Sequence, residues 1–280
     1  MTKSIIQELY HKVFRSGDLL NLFIGINVLM FLLINCIGVF EFLFASGTPI
    51  ANWLVLQLAM PAYLPTLMHK FWTPFSYMFA HKVLFHLLFN MLWLYWIGRI
   101  FLDFLSKRQF AFVYLTGGLA GALFFIVACN TLPVFALSFV SLSMLGASAS
   151  VMAIVTATAT LVPNYNIKML FFGDVKLKYL ALAYFVLTII GISDTNQGGN
   201  IAHIGGALLG FIYTKQLQSG YDWSVIFKKR SKLQLIVNNA IDEEVNQATV
   251  DSILDKISKS GYNSLTRSEK KQLFKASEKE

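Results

Sequence analysis

The chain has 280 residues, of which 56% are hydrophobic and only 14% are charged. Soluble domains carry about 25% charged residues, so this composition argues against a soluble enzyme, and the apolar content excludes a disordered chain. The net charge of +8 does not require a nucleic-acid partner, because basic loops along one membrane face give the same excess. We therefore predict a membrane protein that resides in the lipid bilayer and has no nucleic-acid partner.

Charge and hydropathy divide the chain into three parts. Residues 1–17 place apolar side chains at helical spacing beside Lys12 and Arg15, as in a helix that lies on the membrane surface. Residues 18–220 are poor in charge and form the predicted membrane domain. Residues 221–280 are rich in charge and are predicted to form a basic, polar and helical tail in the cytoplasm.

Six apolar segments of the membrane domain are candidates to cross the bilayer, for which a helix needs about 20 apolar residues. The fourth and sixth segments are short and rich in small residues, which is typical of helices packed inside a bundle. The predicted fold is therefore an all-α, polytopic bundle of six transmembrane helices. The segments cover residues 19–44, 83–105, 110–129, 147–162, 180–192 and 201–217.

The connections between these segments predict the orientation in the membrane. Basic residues gather in the N-terminal segment, in the second and fourth connections and after the sixth segment, whereas residues 130–145 carry no charge. Basic loops face the cytoplasm, so both termini are expected there. Six helices without an added seventh suggest a bacterial cytoplasmic (inner) membrane. The first connection, about 46–82, and the third are too apolar for solvated loops and are expected to be partly embedded.

Two short amphipathic helices are predicted in the tail. Apolar residues recur at helical spacing from Val250 to Ile257, and Gly261 is a plausible helix end. Thr266 and Glu269 have the spacing of a capping box ahead of a second helix. No residue of the tail indicates a particular chemistry.

Four polar side chains stand out inside the predicted membrane domain, where ionisable and nucleophilic groups are costly. His86 and Asn90 are four residues apart on the second segment and hence on one helix face. Ser148 opens the fourth segment and His203 opens the sixth. These three helices run in the same direction, so counting residues from their starts places all four groups at similar depth near the outer surface.

These residue types together favour acyl transfer. A serine hydroxyl becomes a nucleophile when a base such as neutral histidine accepts its proton, which suggests Ser148 and His203. The developing oxyanion needs donors, and the amide of Ser148 at a helix start, with the side chains of His86 and Asn90, could supply them.

Three glycines near these groups have predicted structural roles. Gly146 would allow the turn that presents the serine. Gly206 and Gly210 have the spacing that lets two membrane helices pack closely. This packing would bring the sixth helix against the fourth, so that His203 could reach Ser148.

Each residue alone is more often structural than catalytic, and other combinations stay open. His81, His86 and His203 could gather a metal ion, but no Cys, Asp or Glu joins them at that depth and Asn90 is a poor ligand. We therefore expect no metal at this cluster. The same polar cluster could instead line the path of a small-solute transporter.

The motifs His81…His86-Leu-Leu-Phe-Asn90, Gly146-Ala-Ser148-Ala and Ala202-His203-Ile-Gly-Gly206…Gly210 resemble those of the rhomboid family of intramembrane serine proteases. The resemblance covers about residues 15–217. It implies a Ser148–His203 dyad with an oxyanion hole formed by His86, Asn90 and the Ser148 amide, supported by the glycines and His81, with no cofactor. The implied substrates are the transmembrane segments of other membrane proteins, and the oligomeric state is not predicted.

Two positions depart from the family pattern. Many members have Trp-Arg in the first connection, but Trp72 is followed here by Thr73. An aromatic residue often follows the nucleophile by four positions and stacks on the catalytic histidine, where this chain has Met152.

The polar fifth connection, residues 193–200, is a candidate for a mobile cap over the site or for a plain loop. A non-catalytic rhomboid-like binding protein is the alternative function, although such a relative would be expected to lack Ser148 or His203.

Overall fold

The computed structural model describes residues 4–44, 47, 49–169, 173–193, 197–227 and 247–277. The chain is mostly helical and divides into two compact units, residues 1–229 and residues 230–280. The first unit extends past the predicted boundary at residue 220, because residues 221–227 pack on the helix that begins at Lys107. Asp222 there makes an ion pair with Arg108 at 2.7 Å, and Phe227 lies edge-on to Phe112.

The six predicted membrane segments are all helical in the structure. Three of these helices are long and apolar enough to cross a bilayer in the described part of the chain: Leu19–Leu43, Leu84–Phe104 and Lys107–Thr131. Helices Ser148–Leu161 and Leu177–Ile190 are apolar but shorter, so that bilayer crossing by these two helices and by Gln197–Gln218 stays a prediction.

The helices are numbered here in chain order, and short turns of other helix types join several of them. The α-helices are α1 (Ile5–Tyr10), α2 (Leu19–Leu43), α3 (Ile50–Leu58), α4 (Leu64–His69), α5 (Thr73–Ser76), α6 (Leu84–Phe104), α7 (Lys107–Thr131), α8 (Ser148–Leu161), α9 (Leu177–Ile190), α10 (Gln197–Gln218), α11 (Gln247–Ser260) and α12 (Arg267–Ser277). A π-helix follows α1 at His11–Arg15, and 3-10 turns lie at Tyr77–Phe79, Pro133–Phe135, Gly191–Ser193, Trp223–Phe227 and Tyr262–Ser264.

Two short antiparallel ribbons correct the prediction of a purely helical fold. Strand β1 (Met60–Pro61) pairs with β2 (Ser143–Met144) and so ties the first connection to the third. Strand β3 (Asn166–Met169) pairs with β4 (Gly173–Lys176) between α8 and α9. Both ribbons lie in connections that the sequence predicts as apolar or basic loops. Strands of two to four residues are too short to leave a clear alternation of apolar and polar residues in the sequence.

Helix α8 lies at the centre of the first unit, in contact with α6, α7, α9 and α10. Most of its side chains are small and fully buried, so the neighbouring helices approach its backbone closely. A Cβ atom at Gly206 or Gly210 of α10 would collide with the carbonyl oxygen of Ala149 or Ala153 of α8. Glycine at these positions therefore sets the distance between the helices that carry Ser148 and His203.

The first connection packs against the bundle through short helices. The hydroxyl of Tyr77 donates a 2.6 Å hydrogen bond to the carbonyl of Gly118 on α7, and the indole of Trp72 donates to the carbonyl of Gln57. Phe71 and Met68 nevertheless remain largely exposed. Exposed apolar side chains on an ordered connection agree with the expectation that this segment is partly embedded.

The second unit contains the two predicted tail helices, and the predicted capping box is confirmed. The Thr266 hydroxyl accepts a hydrogen bond from the backbone amide of Glu269, and the Glu269 carboxylate accepts one from the backbone amide of Thr266. Lys256 of α11 donates to the same carboxylate at 2.8 Å. Hydrogen bonds from Lys256 and then Thr266 lower the pKa of Glu269 to about 2. Gly261 ends α11 with a φ of 77°, as its predicted capping role requires.

Candidate active site

The four polar residues singled out in the sequence line one cavity of about 480 Å³. Helix α6 contributes His86 and Asn90, the first residue of α8 contributes Ser148, and α10 contributes His203. Helix α9 closes the remaining side. The other lining residues are Phe89, Trp93, Leu180, Ala183, Tyr184, Leu187, Thr188 and Asn200.

The turn that precedes Ser148 depends on Gly146. Its φ is 133°, which side chains rarely adopt, and a Cβ atom there would lie 2.5 Å from the imidazole carbon Cε1 of His86. The amide of Gly146 donates to the carbonyl of Tyr77 at 2.9 Å. The turn thus lies directly against the His86 ring and brings Ser148 into the first position of α8, where the backbone amide has no partner within the helix.

His81 holds the same turn from the other side. Its Nε2 accepts a hydrogen bond from the amide of Ala147 at 3.3 Å, and its ring lies edge-on to that of His86 with centroids 5.0 Å apart. Because Nε2 is engaged with the backbone, it is a poor candidate for the metal ligand considered above. Within the described residues, the structure forms no group of three or more His, Cys, Asp or Glu side chains that could hold a metal ion.

His86 and Asn90 lie on one face of α6, as their spacing predicts. The side-chain amide of Asn90 donates to the carbonyl of His86 at 2.8 Å, which fixes the orientation of Asn90 beside the cavity. Asn90 is buried and His86 is partly exposed. Two side chains able to donate hydrogen bonds therefore stand on the wall of the cavity contributed by α6.

His203 lies deeper in its helix than the sequence suggested. Helix α10 begins at Gln197, four residues before the predicted start, so His203 lies between one and two turns inside it. The apolar pattern begins only at Ile201 because the first turn, Gln-Gly-Gly-Asn, is polar. The side chain is buried, and its Nε2 atom has no hydrogen-bond partner among the described residues.

The structure also identifies a residue that sequence reasoning missed. The hydroxyl of Thr188 on α9 lies 3.3 Å from Nδ1 of His203, and Thr188 is buried. The available signal was weak: Thr188 is the one aliphatic hydroxyl in α9, and its neighbours along the sequence are apolar. Threonine is common in membrane helices, where its hydroxyl usually bonds the backbone.

The predicted cap over the site is shorter than the sequence indicated. Residues 194–196 lie outside the described residues. The preceding turn, Gly191–Ser193, is 3-10 helical, and residues 197–200 belong to the first turn of α10. Asn200 lines the cavity. Most of the segment is thus helical rather than a loop, which corrects the prediction for these residues.

A model of the Rhomboid domain matches residues 68–219, more than half of the chain, and this region contains His86, Asn90, Ser148 and His203. The chain belongs to the rhomboid family. It is 28% identical over 164 residues to the Presenilin-associated rhomboid-like protein A, mitochondrial, of Danio rerio. That match covers 55% of this chain and 38% of the relative's own length. A second model, a family of unknown function (DUF6576), matches residues 241–279.

Rhomboid membership and the three long apolar helices identify an integral membrane protein. The two departures from the rhomboid pattern are accommodated locally. Thr73 is buried, and its hydroxyl donates to the carbonyl of Lys70 at 2.8 Å. Met152 is fully buried in α8, and the aromatic ring nearest to His203 comes instead from Tyr184 of α9, with centroids 6.3 Å apart.

Proposed function

We propose that this rhomboid is an intramembrane serine endopeptidase that cleaves transmembrane segments of other proteins near the outer interface. The observation that carries the proposal is the convergence of Ser148, His203, His86 and Asn90 on one cavity, although they come from three helices. Acyl transfer requires a nucleophilic hydroxyl, an imidazole base and hydrogen-bond donors for the oxyanion, and these four residues supply all of them.

In the proposed first step, Ser148 Oγ attacks the scissile carbonyl while its proton passes to His203. The Nε2 of His203, which has no partner in the part of the chain that the structure describes, is the atom available to accept that proton. His203 then gives the proton to the leaving amine as the C–N bond breaks, and the serine holds the acyl group as an ester. Water that enters the cavity hydrolyses the ester by the same proton transfers in reverse order.

The tetrahedral oxyanion would be stabilised from two directions. The backbone amide of Ser148 is free of an intrahelical partner and lies at the positive end of α8. His86 and Asn90 supply side-chain donors from α6. The Gly146 turn packs on the His86 ring, so the position of this ring is fixed relative to Ser148. Losing one such donor typically reduces kcat by about 100-fold or more.

The walls of the cavity indicate how a substrate would enter. Helices α6 and α9 contribute Phe89, Trp93, Leu180 and Leu187, and such a surface suits an apolar segment arriving sideways from the bilayer. A helical peptide bond hides its carbonyl, so the segment must unwind locally before attack. Small or helix-breaking residues near the cleavage site would lower the free-energy cost of that unwinding.

The membrane and the orientation belong to the same proposal. The distribution of Lys and Arg favours cytoplasmic termini, and the simple six-helix arrangement favours a bacterial inner membrane, whereas the matched relative is named as mitochondrial. Labelling of single cysteines at exposed Lys82 and Tyr221 with an impermeant maleimide tests the orientation. Position 82 should react from outside and position 221 only after permeabilisation, and the reverse pattern would contradict it.

Cleavage of a transmembrane reporter in proteoliposomes tests the activity. Ser148→Ala should abolish cleavage while the protein still folds. Ser150→Ala, at a buried serine two residues along the same helix, is the matched control and should retain most of the activity. Cleavage that survives in Ser148→Ala would remove the protease assignment.

The alternative is a rhomboid-like protein that binds membrane helices without cleaving them. It predicts no cleavage by the wild type, together with reporter binding that Ser148→Ala leaves unchanged. A small-solute transporter would instead show flux across the vesicle membrane and no reaction of Ser148 with serine-directed probes. The Nε2 of His203, which has no hydrogen-bond partner among the described residues, and the turn at Gly146 support the protease proposal.

A further inference from the structure

We propose that Thr188 positions the general base: its hydroxyl accepts the Nδ1–H of His203 and so holds Nε2 toward Ser148. The inference rests on the proposed protease function and adds a third residue to the dyad. Thr188 does not reach the reacting atoms, so it is a positioning residue rather than a catalytic one.

The geometry around His203 leaves few other ways to fix the ring. Thr188 Oγ1 and His203 Nδ1 are 3.3 Å apart, and both residues are buried, with 4% and 8% of their surfaces exposed. The other ring nitrogen has no partner among the described residues. One directional contact therefore determines how the imidazole is rotated about its own axis.

The chemistry of the base requires an acceptor at this place. A neutral imidazole carries one proton, and only the form protonated on Nδ1 leaves Nε2 able to take a proton from serine. Once Nε2 is protonated, Nδ1–H must also be satisfied in a site that excludes water. No Asp or Glu stands among the described residues that line the cavity, so the Thr188 hydroxyl takes the place that a carboxylate occupies in a catalytic triad.

The direction of the Thr188 hydroxyl differs from that of four threonines on α7 and α8. Thr116 and Thr131 of α7 and Thr158 and Thr160 of α8 all donate to the backbone carbonyl four residues earlier. In contrast, the Thr188 hydroxyl faces the imidazole of a neighbouring helix. The Thr188 hydroxyl is therefore available for a hydrogen bond between α9 and α10.

Helix α9 also supplies the aromatic neighbour of the base. Tyr184 precedes Thr188 by one turn and lies with its ring tilted 58° to that of His203, and its own ring stacks on Trp93 of α6. The corresponding place on α8 is taken by Met152. In this chain, therefore, α9 supplies both the hydroxyl and an aromatic ring beside His203.

Two substitutions of Thr188 distinguish the contribution of its hydroxyl from that of its side-chain packing. Thr188→Val keeps the shape and removes the hydroxyl, whereas Thr188→Ser keeps the hydroxyl and removes a methyl group. With the transmembrane reporter in proteoliposomes, Thr188→Val should lower kcat by about 10- to 100-fold, as expected for loss of a hydrogen bond to a charged group. KM should stay unchanged, and Thr188→Ser should stay within about 3-fold of wild-type kcat.

Controls make the outcomes distinct. Thr116→Val, the same exchange at a threonine that bonds only its own helix, should leave kcat unchanged, and thermal unfolding of every variant checks its folding. Equal losses in Thr188→Val and Thr188→Ser, or wild-type kcat in a folded Thr188→Val, would overturn this inference while leaving the protease function intact. Cleavage that does not depend on Ser148 would instead remove the proposed function, and this inference with it.

Discussion

Substitution of Gly206 by alanine tests how the helices bring the nucleophile and the base together. Gly206 lies one turn after His203 on α10, and a Cβ atom there would collide with the carbonyl oxygen of Ala149, the residue after Ser148. Normal contacts need about 3.5 Å, and a carbonyl on the helix backbone cannot rotate away. The two helices must therefore separate close to Ser148 and His203.

The size of the effect follows from that separation. Overpacking of a close interface costs about 1–3 kcal/mol, so Gly206→Ala should lower the free energy of unfolding by that amount. A misplacement of about 1 Å between reacting groups can reduce the rate about 100-fold. We expect kcat of Gly206→Ala to fall by that order, with a smaller change in KM.

Two other glycines serve as controls in the same assay. Gly210→Ala meets the carbonyl of Ala153 in a similar way but one turn further from the site, so it should destabilise equally and reduce kcat less. Gly38→Ala on α2 would make an ordinary 3.6 Å contact with Ala51 and should leave both quantities near wild type. Wild-type cleavage and stability in Gly206→Ala would refute the argument that this contact sets the helix spacing.

Two further predictions concern the stability of the fold. Tyr77→Phe leaves the buried carbonyl of Gly118 without its 2.6 Å hydrogen bond and should cost about 1–3 kcal/mol, measured by unfolding in mixed micelles. Burial raises the pKa of Asp222, but hydrogen bonds from Ser224, Tyr213 and Arg108 outweigh it and leave the pKa below its ordinary value. Asp222→Asn should therefore destabilise the protein near neutral pH, and the difference from wild type should disappear as the pH falls below about 4. A difference that persists at low pH would contradict this reasoning.

The helices of the membrane domain could be predicted because bilayer thickness imposes a minimum length on apolar segments. Helix α6, expected at residues 83–105, is found at Leu84–Phe104, and α8 starts one residue after its predicted start. The start of α10 was less predictable, because its first turn is polar and its apolar pattern begins at Ile201. The spacing of apolar residues indicates which side chains are buried, so it cannot indicate where a helix begins when its first turn consists of Gln, Gly and Asn.

The candidate site could be predicted from a conjunction of residues at one depth, but its supporting contacts could not. Counting from the helix starts brought Ser148 and His203 to the same level, and the structure places both on one cavity. Thr188 comes from a helix whose sequence shows only apolar residues around it, and its role depends on the rotation of α9. Rotation follows from packing with neighbouring helices, which one sequence does not reveal.

The central claim is that His203 activates Ser148 inside this cavity. Labelling by a fluorophosphonate, followed by mass spectrometry of the labelled peptide, measures that activation directly in proteoliposomes. The account predicts adduct formation on Ser148 in the wild type and its loss in His203→Ala, with folding of both proteins checked by thermal unfolding. Labelling of Ser148 at the same rate in folded His203→Ala, or no labelling of Ser148 in the wild type, would contradict it.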